Sequence, residues 1–126
     1  MNAELTADIN LYTDDTIKFT KEFRGNFNGN GHTLSWNSAY NGCLFNALVN
    51  SNIKNLNLIN CQLANTAKKC LIEKCKITLE RDINDNASGI FIFKEDESSA
   101  ENKNIFKECV SIALNNVSKN LFSLHG

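Results

Sequence analysis

The strongest constraint on this chain is a repeat. The segments 52–58 and 71–77 superpose at a sequence offset of 19, which lays Ile53 on Ile72, Leu56 on Cys75 and Leu58 on Ile77. A third copy, residues 105–111, keeps Phe106 and Cys109 in phase, although Ser111 replaces the last apolar residue. Upstream, Leu34 precedes Ile53 by the same offset and Ile17 precedes Leu34 by a slightly shorter one, which carries the phase toward the N-terminus. A second series, Gly42-Cys43-Leu44-Phe45, Gly89-Ile90-Phe91 and Asn120-Leu121-Phe122, reads as another face of the same unit. Apolar side chains at fixed phase in so short a period predict a β-solenoid, because each turn of chain hides them only by stacking on its neighbours. At about 4.8 Å per stacked strand, about six coils make a rod on the order of 30 Å long.

The local pattern agrees. Alternating segments recur, among them Asp8-Ile9-Asn10-Leu11, Ile17-Lys18-Phe19 and residues 53–62, 70–80 and 104–114, whereas helical spacing is almost absent. The expected class is all-β. Turn clusters rich in Asn, Gly, Ser and Asp separate the segments, notably residues 24–31 and 84–89. Asparagine supplies 21 of the 126 residues and proline none, an imbalance that suits solenoid corners. Asn tolerates left-handed backbone angles and can hydrogen-bond along a stack, whereas Pro would delete a ladder donor.

Four blocks then arrive in order: Leu5-Thr6-Ala7-Asp8-Ile9-Asn10-Leu11, residues 23–34 around Asn28-Gly29-Asn30-Gly31-His32, Gly42-Cys43-Leu44-Phe45, and Ile53-Lys54-Asn55-Leu56-Asn57-Leu58. They resemble successive blocks of right-handed parallel β-helix proteins carrying GLUG-type repeats, within the pectin-lyase-like superfold. The resemblance covers residues 5–63, close to half the chain. It implies a small right-handed parallel β-helix, and because that superfold hosts carbohydrate-active enzymes, adhesins and bacterial surface repeats, it implies no activity. GLUG proteins are commonly parts of long exported chains, whereas this sequence opens on Met1 without an export signal. The spread of the motif to Gly126 fits a complete small protein, one β-helix domain over residues 1–126 with an inserted loop at 94–103.

Composition bounds the function. One modest core fits in 126 residues, which excludes a multidomain enzyme. A net charge of -1 supplies no global positive field for nucleic acid or anionic lipid, and no apolar run approaches the length of a membrane span. Five cysteines, Cys43, Cys61, Cys70, Cys75 and Cys109, are odd in number and sit in apolar stretches. They read as small buried hydrophobes in a reducing cytoplasm; neither their spacing nor the distant His32 and His125 makes a zinc site. No metal or cofactor is expected. The N-x-S/T matches at Asn86 and Asn116 carry little weight in an asparagine-rich chain.

Catalytic constellations are weak. Asp14-Asp15 are adjacent, so in a strand they face opposite ways, and Asp82 and Asp85 bracket a loop beside Arg81. Glu95, Asp96, Glu97 and Glu101 read as a solvated insertion. His32 sits in the Gly-Asn-Gly-His turn, where a structural hydrogen bond is expected. The Gly29-x-Gly31 pair precedes a strand, so it is no phosphate loop, and the expectation is a non-enzyme.

What remains is a rigid binding module. Lys54, Lys74, Lys76 and Lys107, with Lys68 and Lys69 nearby, are expected to form a positive stripe, and Glu95, Asp96 and Glu97 an acidic loop. Two tyrosines and one tryptophan are too few for an aromatic track, so nucleic acid is not the expected partner. The expected partner is a larger protein or complex, with a homodimer through one solenoid end as the alternative. Size and character suggest a cytosolic inhibitor of the phage or mobile-element kind, such as an anti-CRISPR protein. The alternative function is that of an adhesin or carbohydrate-binding fragment of a bacterial surface protein.

Overall fold

The computed structural model describes residues 2–11, 19–36, 43–80, 91–95 and 103–113, with backbone alone at 19–20, 93–95 and 113. All regular structure among the described residues is β, in three parallel sheets. The first sheet stacks β1 (Asn2–Glu4), β4 (Asn26–Asn28), β7 (Asn52–Lys54), β10 (Leu71–Glu73) and β13 (Ile105–Lys107) in that order. The second stacks β2 (Ile9–Leu11), β5 (Thr33–Trp36), β8 (Asn57–Ile59), β11 (Lys76–Leu79) and β14 (Val110–Ala113). The third stacks β3 (Phe19–Phe23), β6 (Cys43–Val49), β9 (Gln62–Lys68) and β12 (Ile92–Glu95). Every third strand thus returns to the same sheet, one level further along.

Residue alternation explains this order. In the first sheet the middle residue of each short strand points inward, and the register stacks Ala3, Phe27, Ile53, Ile72 and Phe106 in one column. The second sheet aligns Ile9, Leu34, Leu58, Ile77 and Ser111. In the third, large residues meet small ones: Phe45 lies opposite Ala64, and Leu48 opposite Ala67, all four buried. That alternation of volume fills the interior without overpacking. Phe23, Phe27 and Phe45 form an aromatic cluster with centroids 5.2–6.4 Å apart, and Phe91 packs on Phe106 at 5.6 Å. Each fully buried aliphatic or aromatic side chain contributes about 1.5–3 kcal/mol.

The register confirms the central repeat and corrects its upstream extension. Ile53 pairs with Ile72 and Leu58 with Ile77, as the sequence offset predicts. Leu34, however, pairs with Leu58 and Ile9, and the preceding partner of Ile53 is Phe27. The spacing between levels is therefore longer on the N-terminal side than in the centre. The physical reason is that the connections differ in length while the strands they join keep their register. Residues 29–32 join β4 to β5 where residues 55–56 suffice between β7 and β8, and residues 37–42 precede β6 where 60–61 precede β9. On the C-terminal side the spacing lengthens again, since Ile72 pairs with Phe106. Lys94 and Glu95 of the expected loop continue β12, opposite Thr66 and Ala67, and residues 96–102 lie outside the described residues. Five levels of strands are described, against the six coils expected.

Asparagine does serve the corners. Of seven described non-glycine residues with positive φ, four are Asn: Asn30, Asn50, Asn55 and Asn60. The others are Lys69, Lys74 and Glu108, which occupy a left-handed conformation at greater steric cost. Asparagine has a second role in the interior. Buried Asn60 donates to Trp36 O at 3.0 Å and accepts from Glu80 N at 2.9 Å, and buried Asn104 accepts from Cys70 N and donates to Ala67 O, both at 3.0 Å. A carboxamide carries a donor and an acceptor together, so Asn60 satisfies backbone groups of two levels at once and Asn104 two groups of one adjacent corner.

Candidate functional site

In a strand with its middle residue buried, the flanking residues must face out, and stacking turns them into columns. The outer face of the first sheet carries two. One runs Asn2, Asn26, Asn52, Leu71, Ile105, and the other Glu4, Asn28, Lys54, Glu73, Lys107. In the first column Asn26 Nδ2 donates to Asn2 Oδ1 at 3.0 Å and Asn52 Nδ2 to Asn26 Oδ1 at 3.1 Å, an amide ladder on the surface. The ladder then gives way to aliphatic side chains, and Ile105 is 56% exposed. In the second column charge alternates from Lys54 to Glu73 to Lys107. A groove of about 180 Å³ lies across this face, lined by Asn26, Asn52, Lys54, Leu71 and Glu73 with Ile53 at its floor.

The expected lysine stripe is divided. Lys54 and Lys107 share a column with Glu73 between them. Lys74 is at the left-handed corner, 4.0 Å from Glu108 with both side chains exposed, and Lys76 faces out from the second sheet between Asn57 and Val110. Lys68 ends β9 in the third sheet. Among the acidic candidates, Glu95 ends β12, while Asp96, Glu97 and Glu101 lie outside the described residues, as do Asp14, Asp15, Arg81, Asp82, Asp85 and His125. The amide ladder and the exposed Ile105 and Val110 were not singled out from sequence; alternate positions read down the superposed blocks would have shown both columns.

His32 makes the hydrogen bond its turn suggested. Its Nδ1 lies 3.1 Å from Asp8 Oδ1, which also accepts from Thr33 N at 2.9 Å. The backbone donor first, and His32 second, hold the Asp8 carboxyl below its ordinary value. The dyad joins the corner of one level to the next, with Asp8 exposed and His32 half-buried.

The five cysteines are thiols with no disulfide between them. Cys61, Cys70 and Cys75 are buried, and Cys43 and Cys109 are half-buried. Burial pushes the Cys61 and Cys70 thiols up. Cys61, Cys70, Cys75 and Cys109 each follow a left-handed corner residue, and Cys75 and Cys109 also occupy the same position in adjacent levels. No group of three or more His, Cys, Asp or Glu that could hold a metal occurs among the described residues, and no described helix is long and apolar enough to cross a membrane.

No family model, curated protein or solved structure matches this chain. The likeness to GLUG-type repeats rests on the four sequence blocks alone.

Proposed function

We propose that the chain is a right-handed parallel β-helix of the GLUG-like kind that acts as a non-enzymatic protein-binding module. The role that fits best is inhibition of a larger enzyme or complex in the cytoplasm, as in phage or mobile-element anti-defence proteins such as anti-CRISPRs. The observation that carries the binding reading is the outer face of the first sheet. There, fixed columns set Lys54, Glu73 and Lys107 in alternating charge beside Leu71 and exposed Ile105. Charge alternation along a rigid face favours one docking register over others, and aliphatic side chains beside it supply burial. The groove is smaller than the ~300–1,000 Å³ typical of small-molecule sites, which favours a macromolecular surface as occupant. Glu73 within the lysine column opposes a phosphate track. Thiols without disulfides are in keeping with a reducing compartment.

A second reading, a carbohydrate-binding fragment of a surface protein, is favoured by one observation: the amides of Asn26 and Asn52 open into the groove. Amides suit sugar hydroxyls as both donors and acceptors.

The test is capture from lysate with tagged wild type beside the double variant Lys54→Glu/Lys107→Glu and the off-face control Lys69→Glu. A stoichiometric protein lost from the double variant and kept by the control supports the binding face. Equal capture by all three overturns it. Saturable binding on a polysaccharide panel, abolished by Asn52→Ala, would favour the second reading.

A further inference from the structure

We propose that Cys75 and Cys109 form a reactive thiol pair that closes to a disulfide across two adjacent strand levels when a peroxide reaches Cys109. The placement comes from the register. Lys76 and Val110 are partners in β11 and β14, Glu73 and Lys107 are partners in β10 and β13, and each cysteine lies at the corner between. Val110 N donates to Cys75 O at 3.0 Å, and Lys74 N to Lys107 O at 2.9 Å, so the two corners are stacked in phase. Neighbouring strands are about 4.8 Å apart, inside the ~4.4–6.8 Å Cα separation that disulfides bridge.

The two side chains take equivalent positions one level apart. Cys75 Sγ lies 3.4 Å from Glu73 O and 3.7 Å from Ile53 O, and Cys109 Sγ lies 3.4 Å from Lys107 O and 3.2 Å from Ile72 O. The inner thiol, Cys75, is 3% exposed and the outer one is half-buried. The adjacent Cys75 side chain lowers the Cys109 thiol to about 7, against the opposing effects of burial and of the Glu73 carboxylate, and Cys75 is raised. Cys43 and Cys70 are placed differently. Cys43 pairs in register with Gln62, not with Cys61, and the Cys70 corner is closed by its N–H donating to Asn104.

The chemistry balances with hydrogen peroxide as oxidant. The Cys109 thiolate attacks one peroxide oxygen, the O–O bond breaks, and hydroxide leaves to take up a proton, giving a sulfenic acid and water. The Cys75 sulfur then attacks the sulfenic sulfur, the S–O bond breaks, and the departing hydroxide takes the Cys75 proton as a second water. Two thiols are oxidised by two electrons and one peroxide is reduced. Stacked Cβ atoms start about 1 Å further apart than the ~3.8 Å mean of disulfides, so closure draws the levels together and leaves a bond readily reduced. β13 and β14 are end strands of their sheets among the described residues, each paired on one side, so they can follow.

The test uses the full chain. Wild type is treated with hydrogen peroxide, blocked with N-ethylmaleimide, digested and mapped by mass spectrometry, and iodoacetamide labelling is timed at pH 7. A Cys75–Cys109 linked peptide, reversed by dithiothreitol, is expected, with Cys109 alkylating about tenfold faster than Cys43. In Cys75→Ser, peroxide leaves a Cys109 sulfenic acid that dimedone traps. Wild type that yields no linked peptide, or links other cysteines, overturns the proposal, as does a variant in which Cys109 gives no dimedone adduct.

Discussion

Ile53 lies opposite Ile72 in the parallel pairing of β7 and β10, and both side chains are completely buried. The pair sits mid-column, with Phe27 before it and Phe106 after it. An Asp at either position would bury a carboxylate with no partner, so Ile72→Asp is expected to abolish the cooperative unfolding transition. Ile72→Ala keeps the fold and costs about 2–5 kcal/mol in urea denaturation. Retention of wild-type stability by Ile72→Asp would contradict the burial.

Gly29 sets a limit on how closely two corners approach. A Cβ there would meet Asn55 O at 2.4 Å and Leu56 Cα at 2.6 Å, both backbone atoms. Gly29→Ala must push one level away from the next and is expected to cost about 1–3 kcal/mol. At Gly31, φ is +79° and an added Cβ would meet no non-neighbouring atom within 4 Å, so Gly31→Ala pays only the left-handed strain of about 1–2 kcal/mol. Equilibrium unfolding of both variants separates a steric from a conformational cost.

Lys69 and Asn50 occupy the same left-handed corner position, with φ of 58° and 50°, and Asn50 N donates to Lys68 O at 3.0 Å. Asn tolerates this conformation better than Lys. Lys69→Asn is therefore expected to stabilise the protein by a few tenths to about 1 kcal/mol, and Asn55→Ala to destabilise it by a similar amount. The thermal midpoints should move in opposite directions.

Asp8 is held below its ordinary carboxyl value of 3.8 by the Thr33 amide first and His32 second. A carboxyl whose folded value is lowered adds stability above its unfolded value and loses it as pH falls through the folded one. Wild type should thus lose stability below about pH 4 more steeply than Asp8→Asn, measured as urea midpoints across the acid range. Parallel acid limbs for the two proteins would mean that Asp8 contributes nothing.

The inner columns were legible in the sequence because every level must place an apolar residue at the same phase, as Ile53, Ile72, Leu58 and Ile77 do. The distance between levels was not legible upstream. A sequence offset reports spatial stacking only where connections have equal length, and residues 29–32 join β4 to β5 where residues 55–56 suffice between β7 and β8. The lysine stripe was only half legible for a related reason. Lys54 and Lys107 do share a column, but strand alternation and the turn at Lys74 decide what stands between them, and that residue is Glu73. Reading cysteines as small apolar fillers describes Cys61 and Cys70, yet the phase that aligned Cys75 with Cys109 already marked them as stacked neighbours.

Every functional placement above depends on the strand register, which side-chain NOEs measure in solution. The structure predicts contacts of Phe27 with Ile53, Ile53 with Ile72, and Leu34 with both Ile9 and Leu58. A repeat of uniform length along the chain would instead stack Leu34 on Ile53, and NOEs between that pair, with none between Leu34 and Leu58, would contradict the account.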